Sequence, residues 1–344
     1  KDLEKIIEIF FDNEGFPLNR NPNDLIKFSK YFILIKECIK DAQQFVPDYL
    51  DEIIDKNLKC IKSILTPHKQ VPLFNGGTET NLEEYLSYIT RLNYKLSKSQ
   101  KKIGNLQIIK DKKNCIYFDV GQPPRKNLSS NYQSGPLSFE YFLDGDKIIT
   151  NCGFGNSISK KAVLISKLTS AQSTLSINDS SVVKLERNKS INNAYGNSIK
   201  TSFKILEYNF NDNDSEIGSS ASHNAYESNF GYIHNREIKI NKKNNVIIGI
   251  DKLIKKRESG KVSFNIRFHL YPGINAVQTI SGNSILIQVK KNKSLILVSE
   301  GQKLSVEKSI FLGGNKILNN VCIVISGELI NEDKEIKWEI KKNI

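Results

Sequence analysis

Three of the four histidines fall between residues 223 and 269, each beside another group able to hold or move a proton. His223 stands just ahead of Tyr226 in ASHNAY (221–226), His234 just ahead of Arg236 in YIHNREIKI (232–240), and His269 between Arg267 and Tyr271 in VSFNIRFHLY (262–271). Strand alternation puts Val262, Phe264, Ile266, Phe268 and Leu270 on one face and Arg267, His269 and Tyr271 on the other. Such a row suits a carboxylate or sulfate, since a guanidinium offers a bidentate fork; it equally fits a solvated sheet face. His234 and Arg236 share a face with Ile238 and Ile240, which implies a row running out of the core into a cleft or domain interface. His68 stands apart, and a lone histidine also serves as a satisfied structural residue.

Other chemistries are excluded by their motifs. GDKIITNCGFG (145–155) is glycine-rich, yet there is no GxGxxG between strand and helix and no GxxxxGK[ST] to cradle phosphates. GxSxG and HExxH are absent, as are a Cys/His finger and an RNP-like aromatic pattern, so no nucleic-acid partner is expected. The five cysteines (Cys38, Cys60, Cys115, Cys152, Cys322) form no CxxC or CxxH pair and read as buried free thiols. The formal charge of +13 favours a polyanion, but the lysines are scattered and accompany abundant Asn and Ile, a bias of composition as much as of binding. The longest apolar runs, such as YFILI (31–35), are too short to span a bilayer. A chain with no methionine reads as processed or as part of a longer polypeptide, so the lack of a visible signal peptide says little about compartment.

The elements that must position these groups change character along the chain. Asn21-Pro22 pairs an N-cap with a proline that lacks only an N–H the first turn leaves free, and Leu25, Phe28, Phe32, Ile35 and Ile39 follow at helical spacing. A second helix opens at Pro47, with Leu50, Ile54, Leu58, Ile61 and Leu65 on one face, and stops before Pro67. A third starts near Asn81 with Leu82, Tyr85, Leu86, Ile89 and Leu92, after the turn FNGGTET (74–80). Residues 93–113 read as a basic, exposed connection. From Cys115 the period is two, in short segments from CIYFDV to IKWEI broken by Gly, Asn, Asp and Ser, which predicts an antiparallel sandwich without interleaved helices. The fold class is α + β: helical over 1–112, then a large antiparallel β-sandwich over 113–344.

In order along the chain, DNEGFPLNRNP (12–22), LFNGGTE (73–79), FDVGQPP (118–124), SGPLSFEYFLDGDKIITNCGFG (134–155), SAQSTLSINDSS (170–181), ASHNAYESNFGYIHNRE (221–237), FNIRFHLYPGI (264–274), SILIQVKKNKSLILVSE (284–300) and KWEI (337–340) resemble the heparinase II/III-like polysaccharide lyases. The resemblance implies a partial α/α toroid followed by a β-sandwich, an acidic polysaccharide as partner, a place in the bacterial periplasm or envelope, and β-elimination on a uronic acid. Elimination needs a clamp for the carboxylate, a base for the C5 proton and an acid for the leaving oxygen. Family members commonly use histidine, tyrosine and asparagine in the cleft between the two parts, and many hold zinc through two histidines and an aspartate.

Carried over position by position, the resemblance puts the catalytic histidine on Asn131, the metal ligands on Gln133 and Asn151, and the histidine of an Ala-His motif on Gln172. Asp24 and Leu25 stand where a Tyr-His pair is expected. Amides are weak zinc ligands and have no useful pKa, so neither a metal nor any other cofactor is expected. The groups left to touch an anionic sugar are Arg20, Asn21, Asn131, Gln133, Arg267 and His269, with His223, Tyr226, His234 and Arg236 as candidates for acid–base work. The alternative function is a glycan-binding or envelope-polymer protein that kept the fold and lost the chemistry.

Overall fold

The computed structural model describes residues 2–96 and 98–343. Helices α1 (Asp2–Phe10), α2 (Pro22–Asp41), α3 (Asp48–Ile64) and α4 (Glu83–Arg91) come first. α2 begins as its sequence dictates: Asn21 is the N-cap, its side chain accepts from the Asn23 N–H, and Pro22 occupies the first turn. Leu25 and Phe32 of α2, Leu50, Ile54, Leu58 and Ile61 of α3, and Tyr85 and Ile89 of α4 are all buried, so the helical periodicity marks the inward faces. These four helices do not by themselves close a toroid.

The strands are β1 (Lys102–Ile103), β2 (Leu106–Lys110), β3 (Asn114–Asp119), β4 (Phe139–Leu143), β5 (Asp146–Thr150), β6 (Leu175–Ile177), β7 (Ile205–Asp212), β8 (Glu216–His223), β9 (Tyr232–Asn241) and β10 (Val246–Lys255). They continue with β11 (Lys261–Leu270), β12 (Asn275–Gln278), β13 (Ser284–Lys290), β14 (Lys293–Val298), β15 (Lys303–Phe311), β16 (Leu318–Ile330) and β17 (Lys334–Lys342). One antiparallel sheet runs β1-β2-β3-β4-β5-β11-β16-β15 with β6 beside β11; the other runs β12-β13-β14-β17-β10-β9-β8-β7.

The two sheets close on a shared apolar layer in which Phe139 stacks on Trp338 at 5.7 Å and Phe268 meets the indole edge-on at 4.9 Å. The helices cover the other face of the first sheet: their core includes Ile103, Leu106, Ile108, Cys115, Tyr117 and Phe142. Being covered on both faces, β3 and β4 are buried along their whole length, whereas β9 and β10 alternate.

Residues 93–113 are not an exposed connection throughout. They supply β1 and β2, with Ile103, Leu106 and Ile109 buried, because the helical layer and the sheet need apolar residues on both sides of this stretch. Helices also interrupt the β-rich part at α5 (Lys160–Ser166), α6 (Lys189–Tyr195) and α7 (Glu227–Phe230), short segments without a long apolar repeat to signal them.

Candidate functional site

The turn 74–80 lies between the helices and the first sheet. Glu140, fully buried on β4, fixes its start: Oε2 accepts from the Leu73 N–H at 3.1 Å while Lys147 Nζ sits 2.9 Å from Oε1. The chain then turns through Asn75 (φ +50°) and Gly76 (φ +97°). Only glycine fits the second position: a Cβ there would stand 2.7 Å from Asn21 Nδ2 and 2.8 Å from Asn131 Cβ. Asn21 and Asn131, far apart in sequence, thus flank one glycine. Beside them Arg20 is buried against Asp119 and also donates to the Gln122 carbonyl at 3.1 Å.

Behind Gly76 lies a knot of amides. Gln133 Oε1 accepts from the Gly76 N–H at 3.1 Å, and its Nε2 donates to the carbonyls of Ser166 (2.9 Å) and Gly153 (3.1 Å). Gln172 Nε2 donates to the same Ser166 carbonyl at 2.8 Å and to Leu168 O at 3.3 Å. Cys152 Sγ lies 4.0 and 3.9 Å from the two amide nitrogens. Burial pushes that thiol up to about 12, so it is not a thiolate at neutral pH. Asn151 donates to Leu73 O at 3.3 Å and accepts from the Ser173 N–H at 3.0 Å.

His223, His234 and Arg236 form a second, separate network inside the sandwich. Asp251 lies opposite Arg236 on the neighbouring strand and receives four donors. Arg236 Nε (2.7 Å) and His234 Nε2 (2.7 Å) reach Oδ1, while Arg236 Nη2 (3.1 Å) and the Trp338 indole N–H (2.9 Å) reach Oδ2. With Nε2 of His234 donating, its Nδ1 accepts from His223 Nε2 at 3.2 Å, and His223 Nδ1 accepts from the Ala225 N–H. Both rings are therefore neutral. Burial, reinforced by neighbouring positive charge, holds His223 well below its ordinary range, and burial lowers His234 as well. For Asp251 burial opposes ionisation, but the Arg236 charge and the His234 hydrogen bond outweigh it and lower the carboxyl to about 2.

Residues 96–339 match the profile of a family described as "Heparinase II/III-like, C-terminal". The chain belongs to the heparinase II/III-like family. Among solved structures, the heparan sulfate lyase HepC from Pedobacter heparinus superposes with a TM-score of 0.77 at 14% identity, covering 99% of this chain and 55% of that one. A crystal structure of heparinase III gives 0.76 at 13% identity, covering 99% and 56%. The chain therefore spans just over half the length of these structures. No curated protein matches the sequence.

In this heparinase II/III-like chain, the zinc implied by the family does not fit the residues present. The carboxamide oxygen of Gln133 is held by Gly76 and that of Asn151 by Ser173. The Nε2 groups of Gln133 and Gln172 and the Nδ2 group of Asn151 are donors, and among the described residues no three His, Cys, Asp or Glu side chains cluster as a metal site would need. Two glutamines hydrogen-bonded to one carbonyl hold these segments together.

The expected site residues therefore divide. Asn21, Asn131 and Gln133 come together around Gly76, with Asn151 and Gln172 just behind, whereas the Arg20 guanidinium turns away to Gly121, Asp119 and the Gln122 carbonyl. The row of His234 and Arg236 does not run into a cleft: both are fully buried, because Asp251 supplies the carboxylate that makes their burial tolerable. Tyr226 is buried too, its hydroxyl donating to Leu175 O at 2.9 Å. Arg236 braces the site from within: its Nη1 donates to Leu137 O (2.9 Å) and Ser173 O (3.1 Å), on the segments that follow Gln133 and Gln172.

Arg267 is paired with Asp179 at 2.7 Å and donates to Ser176 Oγ. His269 is buried, donates through Nε2 to Ser170 O (3.0 Å), accepts from Ser309 Oγ (2.9 Å), and is lowered to about 4 by that burial. Tyr271 gives its hydroxyl to Glu79. Asp119, Ser166 and Asp251 escaped the sequence reading, whereas Cys152 is the buried free thiol expected of it. Only Asp119 and Asp251 carried a signal, as lone acids inside apolar strands.

Proposed function

We propose that this chain is part of a protein that binds an acidic polysaccharide where the partly exposed Asn131 meets the 74–80 turn, with Arg20 and Asn21 buried beneath as support, and that it does so without the family's histidine-based β-elimination. The observation that carries this reading is the pairing of Gln133 and Gln172 on the Ser166 carbonyl. On the family resemblance, neutral and hydrogen-bonded amides stand where a metal ligand and a histidine would be expected. Asn131, partly exposed beside them, has no proton equilibrium near neutral pH with which to take a C5 proton. The candidate acid–base groups His223, Tyr226 and His234 lie in the core, out of reach of a polymer.

Family membership and the likeness of fold to heparan sulfate lyases support a uronic-acid polymer as the ligand. Helices α1–α4 are then the last part of a toroid whose other helices belong to the intact polypeptide. The test is affinity electrophoresis of the full-length protein through gels containing uronic-acid polymers. Retardation by at least one of them is expected, and unretarded migration in all of them overturns the reading.

A further inference from the structure

A second feature adjoins the segment that carries Asn131 and Gln133. Ser134 and Lys167, hydrogen-bonded to each other through Ser134 N–H and Lys167 O, form one wall of an open groove of about 550 Å³. Lys184, Arg187 and Lys200 also line it, among uncharged residues that include Leu168, Ser181 and Val183, and no acidic side chain does.

The arrangement is not that of scattered surface lysines. Leu185 bridges Ile199 in antiparallel fashion, and the Lys200 N–H donates to Lys184 O, so Lys184 and Lys200 sit opposite each other in register. Like charges so placed repel and cost stability. The one acid nearby, Glu186, is already engaged by Lys126 Nζ at 2.8 Å and by the backbone N–H groups of Arg187 and Asn188. Lys184, Arg187 and Lys200 have no carboxylate partner among the described residues.

Lys167 adds a separate observation. It is 1% exposed, and its ammonium donates only to carbonyls, those of Ser130 and Asn197. An ammonium has three donors, so one N–H of this buried cation has no partner among the described residues. A buried cation without a counter-ion is costly, and burial lowers this ammonium to about 8, so an anion placed beside it would relieve the cost.

We infer that the groove of Lys167, Lys184, Arg187 and Lys200 is an anion subsite that takes the sulfate or carboxylate groups of a polyanionic glycan, continuing the surface at Asn131. This rests on the glycan-binding reading and adds which groups contact the charge. Ser130, whose carbonyl accepts from Lys167, directly precedes Asn131, so the groove adjoins the segment that carries Asn131.

The test compares the full-length protein with K184Q/R187Q/K200Q and with K291Q/K303Q/K316Q, which removes the same charge from exposed lysines elsewhere. Affinity is measured for heparan sulfate, which carries sulfate and carboxylate, and for polygalacturonate, which carries carboxylate alone, over a range of salt concentrations. The inference predicts that the groove variant loses roughly ten-fold or more in affinity with a shallower salt dependence, while the control variant stays near wild type. Loss confined to heparan sulfate assigns the groove to sulfate; loss for both polymers assigns it to carboxylate. Equal losses in the two variants, or none in the groove variant, overturn the groove and leave the glycan reading standing. No binding by the wild-type protein overturns both.

Discussion

Gln133 and Gln172 donate their carboxamide N–H groups to one acceptor, the Ser166 carbonyl, at 2.9 and 2.8 Å. Three stretches of chain, 131–135, 151–154 and 166–173, are tied at this point by neutral hydrogen bonds. The knot needs no metal, so EDTA or phenanthroline should leave the thermal unfolding midpoint unchanged. A drop on chelation, reversed by zinc, would show a metal that these residues do not suit. Gln133→Ala removes partners from Gly76, Gly153 and Ser166 at once and should destabilise the protein by about 2–4 kcal/mol in chemical denaturation.

Arg236 and Asp251 form the buried centre that braces this knot. Asp251→Asn leaves a guanidinium in the core without its counter-charge and should cost about 3–5 kcal/mol, with any glycan affinity falling only as far as the fold does. Retained stability together with lost affinity would place Asp251 at the ligand instead.

Acid should weaken the fold through its histidines. The folded-state pKa of His269 lies near 4, below the ordinary value of 6.5, and those of His223 and His234 are also lowered. The unfolded chain therefore takes up protons first as pH drops. The stability these rings contribute is complete above pH 6.5 and is lost as pH falls towards 4, by up to roughly 3 kcal/mol for His269 alone. Denaturation midpoints measured between pH 7 and 4 should decline, and His269→Gln should flatten the curve. A flat wild-type profile would mean that these rings are not buried neutral.

Much of the fold was legible because periodicity reports burial. The α2 cap at Asn21-Pro22, the inward row of α3 and the alternation of β9 and β11 all follow from residue spacing. β1 and β2 escaped because lysines surround them and both their faces are covered. The amide positions were legible only through resemblance, and it was their partners that stayed hidden. Ser166 contributes a backbone carbonyl, which any residue type provides. Asp251 acts across a strand pair, and nothing local to Arg236 announces it. His234 and Arg236 therefore looked like a cleft row when they are a satisfied core pair.

Gly76 joins the helical layer to Asn131. Gly76→Ala forces a side chain into positive φ and against Asn21 and Asn131, so it should cost about 1–3 kcal/mol and displace Asn131. Polymer affinity should fall further for this variant than for Asn131→Ala, which removes a side chain without moving the turn. Equal affinities for wild type and Gly76→Ala would remove the turn from the binding surface.

The central claim is binding without elimination, and one measurement addresses it most directly. A polymer that retards the full-length protein is incubated with it while ultraviolet absorbance of the unsaturated uronate is followed, with a known heparan sulfate lyase as positive control. The account predicts saturable binding and no growth of the chromophore above the protein-free blank. Chromophore that grows in proportion to protein concentration, and is abolished by Asn131→Ala, would contradict it.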